Sequence, residues 1–328
     1  MFTNDIGIDL GTANTLLYIR NKGIVLNEPT IVAIEKDKVI AVGEEAAKMF
    51  GKEPKNIKII RPLQEGIMID SDITELMLKE FIDKIKIKYK IIRPKVLICC
   101  PSTISAIDKE KIREVMERFF TRKTYIEEEA KLAAIGAGLD ITKPIANMVI
   151  DIGGGTTDIA VLSLDGVVKS KSLKIASNTF EEDIIKYIKD KYKVLIGIPT
   201  AKYIKEQFIN VYKPENKITE IKGKNLLTGL PDKLVISQEE LKLVLENSIN
   251  KIVEEIINIL ESIPPELSAD IVEKGILLTG GGALLPGLIQ LLEEKIKVRV
   301  LIAENPLICT IEGIGIMLDK LKYIEEDQ

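Results

Sequence analysis

The amino-acid sequence predicts an α/β fold made of two similar halves that share a cleft. Three observations predict it. A short loop rich in glycine and threonine occurs twice, as G-I-D-L-G-T-A-N-T at residues 7–15 and D-I-G-G-G-T-T-D at residues 151–158. Apolar strand-like runs alternate with helical stretches on both sides of residue 140, the pattern of an α/β chain with an internal repeat. No low-complexity linker parts the halves, so they are expected to pack together. The length of 328 residues fits two domains, and a hydrophobic fraction of 46% is ample for a large core.

Aligned on Asp9 and Asp151, the two loops share an aspartate, an apolar residue and a glycine, then small hydroxyl-bearing residues. β-formers at 6–8 and 148–150 precede them, and apolar runs at 16–19 and 159–162 follow. Each copy therefore reads as strand, tight turn and strand, a hairpin. Strands are expected to residue 42, then a helix near 44–49 and a loop holding Pro54 and Pro62. A helix is expected over 72–88, then an apolar strand at 95–100 ended by Pro101. Residues 108–119 read as a helix with Asp108 as N-cap, and 129–137 as a helix closed by Gly138. Beyond the second hairpin, helices are expected near 180–192 and 200–208, with a lysine-rich strand region at 217–224. A long helix at 238–262 is stopped by Pro264 and Pro265. A strand at 275–279 runs into a third glycine cluster, L-L-T-G-G-G-A-L-L-P-G-L at 277–288, which opens a helix. A final helix lies near 312–321.

Composition removes several function classes. The 46 basic and 50 acidic side chains leave a net charge of −4, without the basic excess of a nucleic-acid binder. Histidine is absent, which excludes serine-triad catalysis, histidine bases and most zinc sites. Three cysteines form neither a disulfide framework nor a zinc pattern and read as buried hydrophobes in a reducing cytosol. The opening M-F-T-N-D does not read as a signal peptide, and no apolar run reaches the length of a membrane span.

A hairpin tip lined with backbone N–H groups suits a phosphate, because glycine admits close approach and amides donate without adding charge. The strand aspartates Asp9 and Asp151 cannot bind phosphate, but they can hold the water shell of a magnesium ion that does. Two such hairpins face to face would clamp a nucleoside triphosphate, with the third glycine cluster beside its adenosine or phosphates. Neither loop is a Walker loop or a dinucleotide fingerprint.

With these segments in place the chain resembles the actin, Hsp70 and hexokinase superfamily, and within it the MreB family of bacterial actins over essentially its whole length. The segments that carry the likeness include the two loops, L-N-E-P-T-I-V-A (26–33), R-P-L-Q-E-G (61–66) and A-A-I-G-A-G-L (133–139). P-P-E-L-S-A-D-I (264–271) and L-T-G-G-G-A-L-L complete the set. The resemblance implies an actin-like (ribonuclease H-like) duplicated α/β fold, two lobes of two subdomains each around a nucleotide cleft. Lobe I would hold residues 1–138 and 313–328, with a smaller outer subdomain at 27–66. Lobe II would hold residues 139–312, with one at 180–245. ATP or ADP with Mg2+ are the implied cofactors. Carried over, Asp9 and Asp151 would govern the magnesium ion and its waters. Gly11, Thr12, Ala13 and Asn14 would cradle one part of the phosphate chain, and Gly153, Gly154, Gly155 and Thr156 the other. Gly280, Gly281, Gly282 and Ala283 would lie along the nucleotide. Glu129 matches the glutamate that orients the attacking water, with Thr156 as its hydroxyl partner. Lys205 matches a lysine that contacts adenosine. The implied protein is a slow ATPase that forms head-to-tail filaments of paired protofilaments in the cytoplasm, at the inner face of the cell membrane. It would organise cell shape or the envelope with other cytoskeletal or envelope proteins, and without nucleic acid.

Three positions depart from the family pattern. Ala130 and Lys131 follow Glu129 where a proline is usual, so hydrolysis is expected to be slow. Lys202 stands where a glutamate commonly holds the ribose, and a cation cannot accept hydroxyl protons. Ala176, Ser177 and Asn178 replace a Gly-Gly-Asp. Two rivals stay open: a nucleotide-binding scaffold with little or no hydrolysis, serving motility or curvature, and a metabolic kinase of the same superfamily. The kinase would need an acceptor pocket and an aspartate base, and the segments particular to MreB argue against it. Finally, K-I-K-I-K-Y-K-I-I-R-P-K at 84–95 has two readings. It is either the solvated end of a helix before a strand, or a membrane-entering tip. In the second reading Ile91 and Ile92 match the paired apolar residues of MreB proteins, ringed by Lys86, Lys88, Lys90, Arg93 and Lys95.

Overall fold

The computed structural model describes residues 5–85, 93–119 and 121–326. Strands β1 (Ile6–Leu10), β2 (Asn14–Ile19) and β3 (Gly23–Pro29) form an antiparallel meander. A smaller sheet follows from β4 (Val32–Glu35), β5 (Lys38–Val42) and β6 (Ile57–Ile60), with helix α1 (Glu44–Met49) between its last two strands. A short hairpin of β7 (Leu63–Gln64) and β8 (Ile67–Met68) leads into α2 (Ser71–Lys84). Next come β9 (Lys95–Cys100), α3 (Ala106–Phe119), β10 (Lys123–Glu128) and α4 (Glu129–Gly136). Both β9 and β10 run parallel to β1, giving the order β10-β9-β1-β2-β3.

The second half repeats this plan. Strands β11 (Asn147–Ile152), β12 (Thr157–Ser163) and β13 (Gly166–Leu173) form the meander. Then come α5 (Ser177–Tyr192), β14 (Val194–Leu195) and α6 (Ile198–Tyr203), which a π-helical turn at Ile204–Phe208 prolongs. The outer sheet is completed by β15 (Ile218–Asn225) and β16 (Pro231–Ser237). Helices α7 (Gln238–Ser262) and α8 (Pro265–Lys274) precede β17 (Ile276–Thr279), a 3-10 turn at Gly281–Leu284 and α9 (Leu288–Ile296). After β18 (Val300–Ile302), α10 (Cys309–Glu326) closes the chain. The main sheet has the order β13-β12-β11-β17-β18, strand for strand that of the first half. The repeated loop is thus the visible part of a repeated five-stranded sheet.

Local chemistry explains most element ends. The Asp70 carboxylate accepts the Ile73 N–H at 3.0 Å and starts α2, whose buried residues Thr74, Met77, Leu78, Phe81 and Ile82 form one helical stripe. That stripe packs on Ile6, Ile8 and Ile98 of the first sheet. In α3 the cap is Ser105 and not Asp108: the Ser105 hydroxyl accepts the Asp108 N–H at 3.1 Å and donates to its carboxylate at 2.6 Å. The serine cap therefore starts the helix earlier than Asp108 alone would place it. Pro264 and Pro265 end α7 but also begin α8, since proline suits a first helical turn. Among the described residues, eight strands escape sequence reading: β6, β7, β8, β13 and β14 as well as β10, β16 and β18. β10 is rich in charge, β16 pairs with the lysine-rich β15 at the surface, and β18 has only three residues. Helix α10 returns to the first half and crosses α4 with backbones in contact. A Cβ on Gly136 would collide with the Cys309 carbonyl, and one on Gly313 with that of Leu132.

Candidate functional site

The tips of the two hairpins face each other across a cavity of about 600 Å³. They come so close that a Cβ on Gly154 would stand 2.6 Å from Ala13 Cβ, and one on Gly155 2.5 Å from Thr12 Oγ1. Asp9, Gly11 to Asn14, Glu129, Asp151, Gly153 to Thr156, Lys202, Lys205 and Gly280 to Gly282 all line the cavity. Ala283 does not. It belongs to the 3-10 turn but is buried, packed into the core of the second half. Ile91, Ile92, Lys86, Lys88 and Lys90 lie outside the described residues. Arg93 is exposed and Lys95 starts β9.

Each hairpin is braced from behind. The Thr30 hydroxyl donates to the Gly11 carbonyl at 2.7 Å, the Thr30 N–H to the Ala13 carbonyl at 2.9 Å, and the Asn14 amide to Asn27 Oδ1 at 2.7 Å. In the second hairpin the Gly153 N–H donates to the Thr156 carbonyl at 2.9 Å. The start of α5 docks on that tip, with Ser177 and Asn178 N–H groups on the Gly153 and Gly154 carbonyls at 3.2 and 2.9 Å. The substituted Ala-Ser-Asn segment therefore keeps a backbone brace.

Four carboxylates gather behind the tips. Burial pushes Asp9 up to about 6, opposed by the Cys99 thiol, which donates to Asp9 Oδ1 at 3.3 Å. Asp151 is pushed up to about 8 by burial, then by Asp158 and Asp9, while the Thr310 hydroxyl at 3.2 Å opposes this. Glu129 is held well above the usual carboxylate range by burial, then by Asp158, Asp151 and Asp9. Burial raises Asp158 as well, against the Ser102 N–H that it accepts. Such mutual repulsion at a cavity wall is what a bound cation would relieve. Among the described residues no three His, Cys, Asp or Glu side chains converge to ligate a metal directly. An ion here would be held through waters and phosphate oxygens.

Glu129 is the first residue of α4, and no proline follows it. The turn is fastened otherwise, by a Lys131–Glu127 ion pair at 3.3 Å and by Ala130, which is fully buried. At the other end of the cavity Lys205 is buried. Its ammonium donates to Glu181 at 2.7 Å and to Ser177 Oγ at 2.5 Å. The wide π-helical turn carries Lys205 inward. Lys202 remains on the exposed rim, 3.8 Å from Glu206. Glu181, Ser177 and Thr310 escape sequence reading. Ser177 and Glu181 are spaced i, i+4 at a helix start, a signal that gains meaning only when Lys205 is brought opposite.

The sequence profile of the MreB/Mbl protein family matches residues 3–326. The chain belongs to the MreB/Mbl family. It is 49% identical to the cell shape-determining protein Mbl of Bacillus subtilis over 325 residues, covering 98% of this chain and 97% of that one. MreB5 of Spiroplasma citri, solved with AMPPNP and with ADP, superposes with a TM-score of 0.93 at 37% identity, covering 98% of both chains. MamK, solved as a double helical filament, shares the fold at a TM-score of 0.81 and 22% identity, with 96% of this chain and 98% of that one covered. The fold is actin-like. The MreB/Mbl segments gain physical meaning in this structure. Within L-N-E-P-T, Asn27 and Thr30 brace the first hairpin, while Glu28 accepts the Glu44 N–H and pairs with Lys84 at 2.8 Å. Within P-P-E-L-S-A-D-I, Asp270 accepts the Ala146 N–H at 2.8 Å and so pins the approach to β11, the strand that bears Asp151.

Proposed function

We propose that this chain binds ATP or ADP with magnesium between its two hairpins, hydrolyses ATP slowly and assembles into filaments for cell shape or envelope organisation. The observation that carries the reading is a glutamate at a helix start, Glu129, facing the same cavity as two opposed phosphate hairpins and their strand aspartates. Gly154 and Gly155 let the two tips approach closely, where any side chain would collide with Ala13 or Thr12. The MreB5 structures with AMPPNP and ADP support the choice of nucleotide.

In this reading the amides of Gly11 to Asn14 and Gly153 to Thr156 hold the phosphates, and Gly280 to Gly282 pass beside the nucleotide. Asp9 and Asp151 hold the water shell of magnesium, which when bound neutralises phosphate charge. Glu129, with the Thr156 hydroxyl, positions a water in line. Lys205 acts toward adenosine, set in place by Glu181 and Ser177. Lys202 reaches the ribose rim without replacing the usual acceptor, and Glu206 and Glu181 are the carboxylates on that side of the cavity. The Lys131–Glu127 pair substitutes for the missing proline, which favours slow turnover over a scaffold without hydrolysis.

Residues 1–138 with 313–328, and residues 139–312, form the two lobes of this reading. MamK, solved as a double helical filament, supports self-association, and head-to-tail contacts within paired protofilaments complete this reading. Membrane attachment at the inner face of the cell membrane would use Ile91 and Ile92. Among the described residues no helix is long and apolar enough to cross a membrane. The deciding experiment is single-turnover phosphate release by wild type and Glu129→Ala, both shown to bind ATP. A slowing on the order of a hundredfold is expected when an orienting group is lost. Equal rates would reduce Glu129 to a helix-start acid.

A further inference from the structure

Asp158 does not line the cavity, yet it is fully buried on β12, two residues beyond Thr156. Its Oδ1 accepts the backbone N–H of Ser102 at 3.0 Å. Ser102 follows Pro101 beyond the end of β9, so this bond runs from the second half's hairpin to the first half's sheet. Oδ2 of Asp158 is buried and meets no donor at regular hydrogen-bond geometry, and the Ser102 hydroxyl likewise makes no regular bond. The hydroxyls of Thr156, Ser172 and Ser102 all lie beside the same carboxylate and favour its charged form. A buried carboxylate with an unmade bond is a poor device for stability, since an apolar side chain of similar volume would serve better.

Thr156 is gripped by the first half on its other flank as well. A Cβ on Gly66 would stand 2.9 Å from Thr156 Cγ2 and 2.5 Å from Pro101 Cγ, while the Gly66 N–H donates to Thr12 Oγ1 at 3.0 Å. The threonine thus sits in a joint between the halves, with Gly66 against its methyl and the Asp158–Ser102 bond behind it.

We propose that Asp158 is a positioning residue for ATP hydrolysis, tying the strand behind Thr156 to Ser102 so that the Thr156 hydroxyl is held opposite Glu129. The inference rests on the ATPase reading above. It makes alignment of Thr156 conditional on contact between the halves: parting them removes the Ser102 N–H that Asp158 accepts.

The test compares wild type, Asp158→Ala and Asp158→Asn in single-turnover phosphate release and in ATP affinity. Amide hydrogen exchange over residues 101–105 reports on the tie. Asp158→Ala should slow release on the order of tenfold to a hundredfold, as misplacement of a reacting group does, with ATP affinity within about threefold of wild type. Exchange at Ser102 should speed up. Asp158→Asn keeps the acceptor oxygen and offers an amide to the neighbouring hydroxyls, so it should recover release to within about threefold of wild type. Should Asp158→Ala fail to fold, Ser102→Pro removes the donor instead and should show the same split between rate and affinity. Three results would overturn the proposal: wild-type release in Asp158→Ala, parallel loss of affinity and rate, or an Asp158→Asn variant as slow as the alanine. The last would mean that charge, not position, is what matters. A wild-type protein that releases no phosphate at all would instead remove the ATPase reading, and the proposal with it.

Discussion

Asp9 and Asp151 close equivalent strands, and both sit where ionisation is resisted, at about 6 and about 8 against an ordinary 3.8. Without metal and nucleotide the folded protein therefore binds protons that the unfolded chain has already lost. That stabilisation is complete below the unfolded value and is lost as pH rises through 6 and then 8. The melting temperature in EDTA is expected to fall from about pH 4 to about pH 8, most steeply below 6, and Asp9→Asn with Asp151→Asn should lessen the slope. A melting temperature that climbs over this interval would contradict the buried, repelling pair. Magnesium with ATP should stabilise most at the alkaline end, where the carboxylates are free to act on the ion's water shell.

In the proposed reading the hairpin is the element on which nucleotide binding would turn. Its tip has no side chain at Gly154 because the opposite tip stands there: a Cβ would meet Ala13 Cβ at 2.6 Å and its N at 3.0 Å. Gly154→Val should force the two tips apart and remove the close approach that phosphate needs. Affinity for a fluorescent ATP analogue is expected to be lost, while far-ultraviolet circular dichroism stays native because both sheets pack elsewhere. Unchanged affinity would show that the tips are not the phosphate cradle.

For the whole molecule, small terms matter when they are repeated. Two isoleucines entering lipid contribute only about 1.5–3 kcal/mol each, and each nearby cation roughly 1 kcal/mol on an anionic leaflet. A single subunit with Ile91 and Ile92 would hold a membrane weakly, and a filament would hold it firmly by presenting many copies. Head-to-tail contacts that do not close on themselves yield such open filaments. Light scattering with ATP should therefore rise above a threshold concentration, and the polymer should sediment with anionic liposomes. Ile91→Ser with Ile92→Ser should abolish the second and spare the first. Sedimentation like wild type would place the membrane contact elsewhere on the chain.

Sequence alone determined the duplication, the two glycine-rich hairpins and the strand aspartates, because these depend on short-range chemistry. An aspartate, a glycine and a hydroxyl residue at fixed spacing can be read wherever they stand. Helix stripes such as Thr74 to Ile82 were legible for the same reason, and so was the family, through segments whose order survives in one dimension. Capping at Ser105 and the strands β10, β16 and β18 were not legible. Each depends on a neighbour that propensity cannot name: a reciprocal side chain, a buried sheet edge or a surface partner. Only the tertiary structure decided which groups meet. It turned Lys205 inward to Glu181 and Ser177, set Cys99 and Thr310 on the strand aspartates, and moved Ala283 out of the cavity. It also joined Asp158 to Ser102 across the two halves. Residues far apart in the chain become chemistry only when packing fixes the distances between them, and no spacing along a sequence records those distances.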